Sequence, residues 1–268
     1  MRRFLKNFIN LIWSKKRYKY FMKKQFNETE KNNLLHLINV LYFENHIEPV
    51  RIKIPKNKNI LVISPHPDDE TLGCGGLILQ AVKEKCNIHL LSLSSGSPED
   101  ATIREKELVK SANDLGIKDI TFMRLTDGVI GNEIIGKNIL NNIFIKYKPD
   151  IILTPFILDN HEDHKNANKL LIELKSHEEL EIWCYQVYSN IISNAYCDIT
   201  DVSDTKYKIL ENYSSQLKYF DYINWNKGLN AWNSRLSFKK NEKYLESYFI
   251  IPAKEYIQVC KNYFSNND

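Results

Sequence analysis

Short apolar runs alternate with helix-like stretches through the middle of this 268-residue chain. The first run, residues 60–63, is flanked by turn-forming residues and has no polar position, a pattern typical of a strand buried on both faces of a parallel sheet. Further strands are predicted at 88–93, 120–123, 151–154 and 182–187, with helices at 77–85, 101–115, 134–147 and 165–174. This alternation predicts an α/β fold with a Rossmann-like, mostly parallel sheet and helices on both faces.

The two ends of the chain depart from this pattern. Residues 1–50 have helical periodicity and are expected to form a basic helical arm, which leaves residues 51–268 for the main domain. Beyond residue 198 the chain becomes polar and aromatic, with helical periodicity at 206–220, and we expect a C-terminal extension of that domain. Its rings could form a core or a wall for stacking sugars, and both interpretations stay open. They are Tyr213, Tyr219, Phe220, Tyr222, Trp225 and Trp232.

Positive charge is concentrated in residues 1–24, which contain nine Lys and Arg and no acid. Subtracting these nine charges from the net charge of +4 leaves −5 for the remainder, so a nucleic-acid partner is not expected. Residues 1–24 could instead contact an anionic membrane, with Phe4, Phe8 and Leu11 on the apolar face. The alternative is an arm packed on the body or on a neighbouring subunit, and the sequence does not specify the oligomeric state.

The cysteine pattern indicates the redox state of the compartment in which the protein works. The five cysteines are an odd number without C-x-x-C spacing, which argues against a disulfide framework or a Cys-ligated zinc. We expect them to be core residues in a reducing environment. No apolar stretch reaches the roughly 18 residues of a spanning helix. The sequence therefore predicts a cytoplasmic protein, peripheral to the inner face of the membrane if residues 1–24 bind lipid.

Three acids and a histidine lie close together in the segment after the first predicted strand. LVISPHPDDETLGCGG, residues 61–76, contains His66, Asp68, Asp69 and Glu70 at a strand end, where ligands bind in open α/β sheets. Imidazole nitrogen and carboxylate oxygen together suit a borderline cation such as zinc. If one aspartate binds the ion, its neighbour can take a proton from water. Helix capping by the acids is the alternative.

A second cluster follows the strand predicted at 151–154. ILTPFILDNHEDHKNANKLL, residues 152–171, contains Asp159, His161, Asp163 and His164, a cluster that helix capping at the first motif does not explain. A catalytic zinc usually has three protein ligands, so one of these histidines could complete the site. The other could stabilise an oxyanion or protonate a leaving group. The two aspartates could orient the imidazoles by accepting their second N–H.

The paired motifs P-H-P-D-D-E and D-x-H-x-D-H resemble those of the PIG-L/LmbE-like zinc-dependent de-N-acetylases. This family hydrolyses the acetamide of N-acetylglucosamine in glycoconjugates. Similarity extends to RLTDG at 124–128, to REKELVKSANDLGI at 104–117 and to DITDVSDTKYKILENYSSQL at 198–217. The resemblance therefore runs from about residue 59 to at least 217. Glu162 departs from a proline found in several members.

The resemblance implies roles for six residues of the two motifs. The implied metal ligands are His66, Asp69 and His164. The implied general base is Asp68. The remaining catalytic residues are His161, as oxyanion stabiliser or general acid, and Asp163 beside it.

Two further positions match family residues that touch substrate, Arg104 and Asp127. For Arg104 the alternative is a surface pair with Glu107, three residues along the same predicted helix. For Asp127 the alternative is an ordinary turn with Gly128.

The resemblance implies a hydrolase that removes the N-acetyl group from an N-acetylhexosamine unit and releases acetate. The substrate would be a glycolipid, a nucleotide sugar or a polysaccharide intermediate, and the cofactor Zn²⁺, with Fe²⁺ as an alternative. Two other functions stay open. One is hydrolysis of another amide in a glycoside or antibiotic intermediate, and the other is a noncatalytic membrane-associated binding module in a glycan-assembly complex.

Three glycines, Gly73, Gly75 and Gly76, follow the first motif but lack the G-x-G-x-x-G spacing of a dinucleotide site. They are expected to permit close packing.

Overall fold

The computed structural model describes residues 47–130 and 134–265, with backbone alone for 134–136. The arm predicted for residues 1–50 lies outside the described residues, apart from 47–50. Within the described parts of the chain, no helix combines the length and the apolar character needed to cross a bilayer.

Eight strands in the described residues form one sheet. They are β1 (Val50–Arg51), β2 (Asn59–Ser64), β3 (Asn87–Ser92), β4 (Asp119–Phe122), β5 (Ile151–Pro155), β6 (Glu181–Tyr185), β7 (Ala195–Asp198) and β8 (Leu245–Pro252). The α-helices of the same residues are α1 (Asp69–Lys83), α2 (Ala101–Leu115), α3 (Ile134–Tyr147), α4 (Glu162–Ala167), α5 (Ser203–Leu210), α6 (Ser214–Leu217), α7 (Tyr222–Asn233) and α8 (Ala253–Ser265). Short 3-10 helices lie at Asn168–Leu171, Thr200–Val202 and Ser234–Leu236.

The strand order is β1-β7-β8-β6-β5-β2-β3-β4, and β8 runs antiparallel to both of its neighbours while the other pairs are parallel. The predicted mostly parallel sheet is therefore confirmed. After β2 the chain proceeds to β3 and β4 on one side and then crosses to β5 and β6 on the other. Ligands bind at such a reversal, outside the carboxyl ends of the strands.

The sheet is covered on both faces, as predicted. Ile60 and Val62 of β2 belong to one apolar cluster, and Leu61 and Ile63 to a second. Because successive side chains of a strand point to opposite faces, the two clusters are the two sides of the sheet. Each is completed by helix residues, such as Leu77 of α1 in the first cluster. The uninterrupted apolar character of β2 follows from this double burial.

Three helix predictions need correction. Helix α1 begins at Asp69 rather than at residue 77, so the acids of the first motif lie in its first turn. Helix α4 begins at Glu162 rather than 165 and passes into 3-10 helix at Asn168–Leu171. The helix predicted at 206–220 is divided into α5 and α6, so the aromatic extension is more broken than its periodicity indicated.

Helix α1 is itself interrupted at Cys74, whose φ of −142° and ψ of 17° are not helical. At this break the carbonyl of Leu72 accepts hydrogen bonds from Lys206 Nζ at 2.8 Å and Asn226 Nδ2 at 2.9 Å. The backbone N–H groups of Gly76 and Leu77 instead donate to the carboxylate of Glu246, at 2.7 and 2.9 Å. These bonds satisfy backbone groups that a continuous helix would pair internally.

The prediction that the cysteines are core residues is confirmed, because all five are buried and unpaired. The close-packing prediction is confirmed for two of the three glycines, since a Cβ at Gly73 would meet Tyr185 and one at Gly76 would meet Ile199. A Cβ at Gly75 would make only ordinary contacts, at 3.4 Å or more.

We predict that Gly73→Ala destabilises the fold, because its Cβ would lie 2.1 Å from Cδ2 of Tyr185. That ring is fully buried and its hydroxyl donates to Ile63 O at 2.8 Å, so it cannot move aside without losing a buried bond. Overpacking of this kind costs about 1–3 kcal/mol. Urea unfolding should show a lower midpoint for Gly73→Ala than for Gly228→Ala, whose Cβ meets nothing within 4 Å. Equal midpoints would contradict this packing account.

Candidate active site

Three segments that follow β2, β4 and β5 meet at the carboxyl edge of the sheet. The first motif contributes His66 and Asp69, the segment after β4 contributes Asp127, and the second motif contributes Asp163 and His164. Four of these five side chains are buried, and that of Asp127 is 40% exposed. The structure thus brings together residues that are about a hundred positions apart in sequence.

Asp69 lies between two imidazoles. Its Oδ2 is 3.4 Å from Nδ1 of His66 and 3.1 Å from Nε2 of His164. The other oxygen, Oδ1, is buried without a hydrogen bond, and neither ring nitrogen of His164 makes a hydrogen bond of acceptable geometry. Buried polar atoms normally have partners, and these unpaired donor atoms suit the binding of a cation.

The opposite nitrogen of each imidazole faces other carboxylates. Nε2 of His66 lies 3.0 Å from Asp127 Oδ1 and 3.1 Å from Asp163 Oδ2. Nδ1 of His164 lies 3.2 Å from Asp159 Oδ1. A histidine that binds a metal usually donates its second N–H to a carboxylate, which fixes the orientation of the ring. Both histidines have a carboxylate in this position, within 3.2 Å of the second nitrogen.

These residues fit a divalent cation such as zinc. Two ligand atoms at the usual zinc distances in a tetrahedral site would be about 3.3 Å apart. The separations of 3.1 and 3.4 Å around Asp69 Oδ2 are close to this value. Three protein donors also match the number typical of catalytic zinc, which keeps a fourth position for water or substrate. The fit rests on His66, Asp69 and His164.

In the described residues, two groups of three side chains bring one donor atom each within 4.8 Å of one another, and neither group includes Asp69. One replaces Asp69 with His161, and the other combines His66 with Asp127 and Asp163. The oxygens of Asp163, however, already accept hydrogen bonds from the backbone N–H of Gly128 at 2.7 Å and Ile130 at 3.1 Å. These bonds favour an orienting role for Asp163 over direct binding of an ion.

At the centre of the site, attraction between opposite charges offsets the cost of burying charged side chains. Burial disfavours the charged form of Asp69, but the positive charge of His164 holds the pKa of Asp69 well below its usual range. Burial also acts against charged His164, but Asp69 and Asp159 raise the pKa of His164 to about 9. The carboxylate is therefore ionised, and protons and a cation would compete for the same nitrogens.

Asp68 behaves differently from its neighbour. Burial and the charge of Asp69 raise the pKa of Asp68 to about 8, against a lowering effect of Arg104. Asp68 occupies the N-cap position of α1 with a φ of 129°, yet its side chain makes no capping hydrogen bond. Helix capping therefore does not account for this carboxylate. A carboxyl with a pKa near neutrality is suited to exchanging protons with a reacting group.

Glu70 and Arg104 hold the backbone at Asp68. The N–H of Asp68 donates to Glu70 Oε2 at 3.2 Å, and Arg104 Nη2 donates to Pro67 O at 3.1 Å and contacts Asp68 Oδ2 at 3.5 Å. Glu70 also accepts hydrogen bonds from Ser64 Oγ and from the hydroxyl of Tyr213. A strained backbone persists where surrounding contacts over-determine it, as they do here.

Arg104 and Glu107 do not form a surface pair, so that alternative was wrong. Both are buried, and Glu107 accepts hydrogen bonds from Ser214 Oγ at 2.9 Å and from the backbone N–H and hydroxyl of Ser215 at 2.8 and 2.6 Å. The two residues thus support different elements, and a substrate contact by Arg104 stays a prediction. Gly128 has the expected turn conformation with φ of 80°, and Asp127 contacts His66. A substrate contact by Asp127 stays a prediction.

His161 lies at the more open side of the site. It is the N-cap of α4, and its Nδ1 accepts a hydrogen bond from the backbone N–H of Asp163 at 3.2 Å. Its ring centroid is 4.8 Å from those of His66 and His164. Burial and the charges of these two imidazoles lower the pKa of His161. Its neutral tautomer then has the proton on Nε2.

The sequence analysis missed Tyr188. Its ring stacks on His164 at 5.4 Å between centroids and lies 6.1 Å from His161. Its backbone N–H donates to Asp159 Oδ2 at 3.0 Å, so it also helps to hold the carboxylate behind His164. No motif marks it, and only its position just after the strand predicted at 182–187 could have suggested a place at this edge.

Residues 61–175 match the PIG-L family, whose description is GlcNAc-PI de-N-acetylase. The chain is 25% identical over 231 residues to the diacetylchitobiose deacetylase of Thermococcus kodakarensis, which covers 76% of this chain and 86% of that protein. It is 27% identical over 132 residues to the probable N-acetyl-alpha-D-glucosaminyl L-malate deacetylase 2 of Bacillus anthracis, covering 43% and 58%. The solved N,N'-diacetylchitobiose deacetylase of Pyrococcus horikoshii has a TM-score of 0.64 and 25% identity, over 74% of this chain and 85% of that one.

We predict that Asp69→Asn and His164→Gln each abolish high-affinity zinc binding by the metal-stripped protein, because each removes a proposed ligand. Asp159→Asn should weaken binding about 10–100-fold, as expected for a residue that only orients a ligand. Isothermal titration calorimetry with Zn²⁺ measures these affinities, and circular dichroism checks folding. The matched control is Glu162→Gln, an acid of the same motif with an exposed side chain. Unchanged affinity in Asp69→Asn would contradict the ligand set.

Proposed function

We propose, from the match of residues 61–175 to the PIG-L family, that this chain is a metal-dependent hydrolase of N-acetylated amino sugars. The reaction would remove the N-acetyl group from an N-acetylhexosamine unit and release acetate and a free amine. One observation carries the proposal: Asp69 Oδ2 lies within 3.4 Å of two buried imidazoles, each with a carboxylate behind it. The curated relatives named as deacetylases support the same chemistry.

The proposed ligands are His66, Asp69 and His164, with Zn²⁺ as the ion and Fe²⁺ as the alternative. A divalent ion at this position supplies Lewis acidity, which makes a water easier to deprotonate and polarises an amide carbonyl. The remaining steps are assigned to side chains of this chain.

Asp68 is the proposed general base. It takes a proton from the attacking water and can then deliver it to the nitrogen of the departing amine. Its burial favours proton transfer, since the carboxyl is not stabilised as an anion by bulk water. Arg104 restrains the carboxyl by contacting both Pro67 O and Asp68 Oδ2. A proton thereby passes from water to amine while the C–N bond of the acetamide breaks.

His161 is proposed to stabilise the oxyanion as a neutral donor. The Asp163 N–H on Nδ1 leaves Nε2 as the protonated nitrogen. A neutral Nε2–H can donate to the oxyanion of the tetrahedral intermediate. The lowered pKa of His161 favours this role over that of a general acid.

The proposed substrate is an N-acetylhexosamine in a glycolipid, a nucleotide sugar or a polysaccharide intermediate. Asp127 lies at the rim of the site with 40% of its side chain exposed, so it can accept a hydrogen bond from a sugar hydroxyl. We place the reaction in the cytoplasm because buried unpaired cysteines suit a reducing compartment. Membrane contact through residues 1–24 stays a proposal.

The test is acetate release by the zinc-loaded protein from N-acetylglucosamine, UDP-N-acetylglucosamine, N,N'-diacetylchitobiose and a lipid-linked N-acetylglucosamine. We expect acetate and the free amine in equal amounts from at least one of them, loss of activity on chelation and recovery when Zn²⁺ is restored. A simple N-acetylated amino acid serves as the control for general amide hydrolysis. A zinc-loaded protein that releases acetate from none of these sugars would contradict the proposal.

A further inference from the structure

Aromatic rings lead away from the site along one side. Tyr188, 42% exposed, stacks against His164. Its hydroxyl contacts that of Tyr222 at 3.4 Å, and Tyr222 is buried at the first position of α7.

Two exposed rings continue from Tyr222. Phe220 lies 5.7 Å and Trp225 5.6 Å from its ring centroid, and these two are 5.5 Å from each other. Phe220 is 49% exposed and Trp225 is 51% exposed. We call Tyr188, Tyr222, Phe220 and Trp225 the aromatic platform. It begins on the catalytic histidines and ends in solvent.

The platform is fixed rather than loose. Asp221, between Phe220 and Tyr222, caps α7 by accepting a hydrogen bond from the N–H of Asn224 at 3.1 Å. The N–H of Trp225 donates to Asp221 O at 3.1 Å. These bonds hold the backbone that carries the rings, and an aromatic side chain has few torsions to lose on binding, which is the advantage of aromatic anchors at recognition sites.

The chemistry of the platform suits a sugar. Aromatic faces present a negative π surface that attracts the polarised C–H groups of a pyranose, and tyrosine adds hydroxyls for hydrogen bonding. The interplanar angles between Tyr222 and its neighbours are 42° and 86°, so the rings do not form one flat apolar surface of the kind a long alkyl chain would cover. The paired hydroxyls of Tyr188 and Tyr222 also place polar groups in the middle of the path.

We propose that the aromatic platform is a second sugar subsite, which binds the pyranose attached to the N-acetylhexosamine during the reaction; this inference rests on the proposed deacetylase function. The acetamide must lie against His161 and Asp68, so the reacting sugar lies at Tyr188. The ring-to-ring distances from Tyr222 to Phe220 and to Trp225, 5.7 and 5.6 Å, are similar to the length of a pyranose, so Phe220 with Trp225 contacts the next unit. The chain would then prefer a disaccharide or longer glycan over a single amino sugar.

The experiment compares kcat/KM of zinc-loaded wild type, Trp225→Ala and Phe220→Ala on N-acetylglucosamine, N,N'-diacetylchitobiose and octyl N-acetylglucosaminide. For both variants we expect a loss of about tenfold on the disaccharide, equivalent to about 1.4 kcal/mol, and little change on the monosaccharide. Trp232→Ala is the matched control, because this tryptophan is in the same helix, is 61% exposed and packs on Arg235 instead.

Three outcomes would overturn the subsite. One is equal activity of the variants and wild type on the disaccharide, and a second is an equal loss on the monosaccharide. A third is a loss confined to the octyl glycoside, which would assign the platform to a lipid chain. Wild type that releases acetate from a simple sugar keeps the proposed function intact in all three cases. Absence of acetate release by wild type would instead count against the proposed function itself. Tryptophan fluorescence provides a second readout that does not depend on turnover. The disaccharide should quench the fluorescence of wild type, and the quenching should be smaller in Trp225→Ala.

Discussion

A buried ion pair between Lys206 and Glu246 holds the break in α1 on which the position of Asp69 depends. The two side chains are fully buried with Nζ and Oε1 2.8 Å apart, and they bond to backbone groups on opposite sides of the break. Leaving one charge of such a pair unpaired costs about 3–5 kcal/mol. The first turn of α1, with Asp69 in it, is thereby oriented separately from the rest of the helix. Lys206 lies in α5 and Glu246 in β8, so the C-terminal extension is part of the support for the site.

The site places several acidic side chains close together in a buried position. Three consecutive acids, Asp68, Asp69 and Glu70, are buried at one strand end, and each has a different environment. Asp69 is surrounded by imidazoles and stays ionised, whereas Asp68 has Asp69 beside it and a pKa near 8. Glu70 is bound by hydroxyls and by the N–H of Asp68. Environments that push the pKa values of neighbouring carboxyls apart are a common way to separate a ligand from an acid or base.

The sequence predicted much of the parallel part of the sheet and the PIG-L resemblance, which the family match confirms. Strands such as β2 are recognisable because both of their faces are buried and no polar residue interrupts them. Strand β8 was missed because Glu246 and Ser247, polar in sequence, are buried there by the ion pair and by neighbouring hydroxyls. Tyr213 was grouped with a possible sugar wall, but it is buried on Glu70. Its role depends on a contact over 143 positions, which no local pattern records.

Contacts between residues far apart in sequence were also missed at the candidate site. Spacing alone identified two motifs, but it could not show that Asp127 faces His66 or that Tyr188 stacks on His164. These contacts arise from the topology, which brings the ends of β2, β4, β5 and β6 to one edge. The roles assigned to individual ligands and to the base stay predictions.

The measurement that tests the central claim most directly is a comparison of wild type with Asp68→Asn for both zinc stoichiometry and acetate release. If Asp69 binds the ion and Asp68 is the base, the variant should bind one equivalent of zinc like wild type. Its turnover should fall by about 10²–10⁴-fold, the usual contribution of general acid–base catalysis. Full activity in the zinc-loaded variant, or loss of zinc together with activity, would contradict the assignment of Asp69 as a ligand and Asp68 as the base.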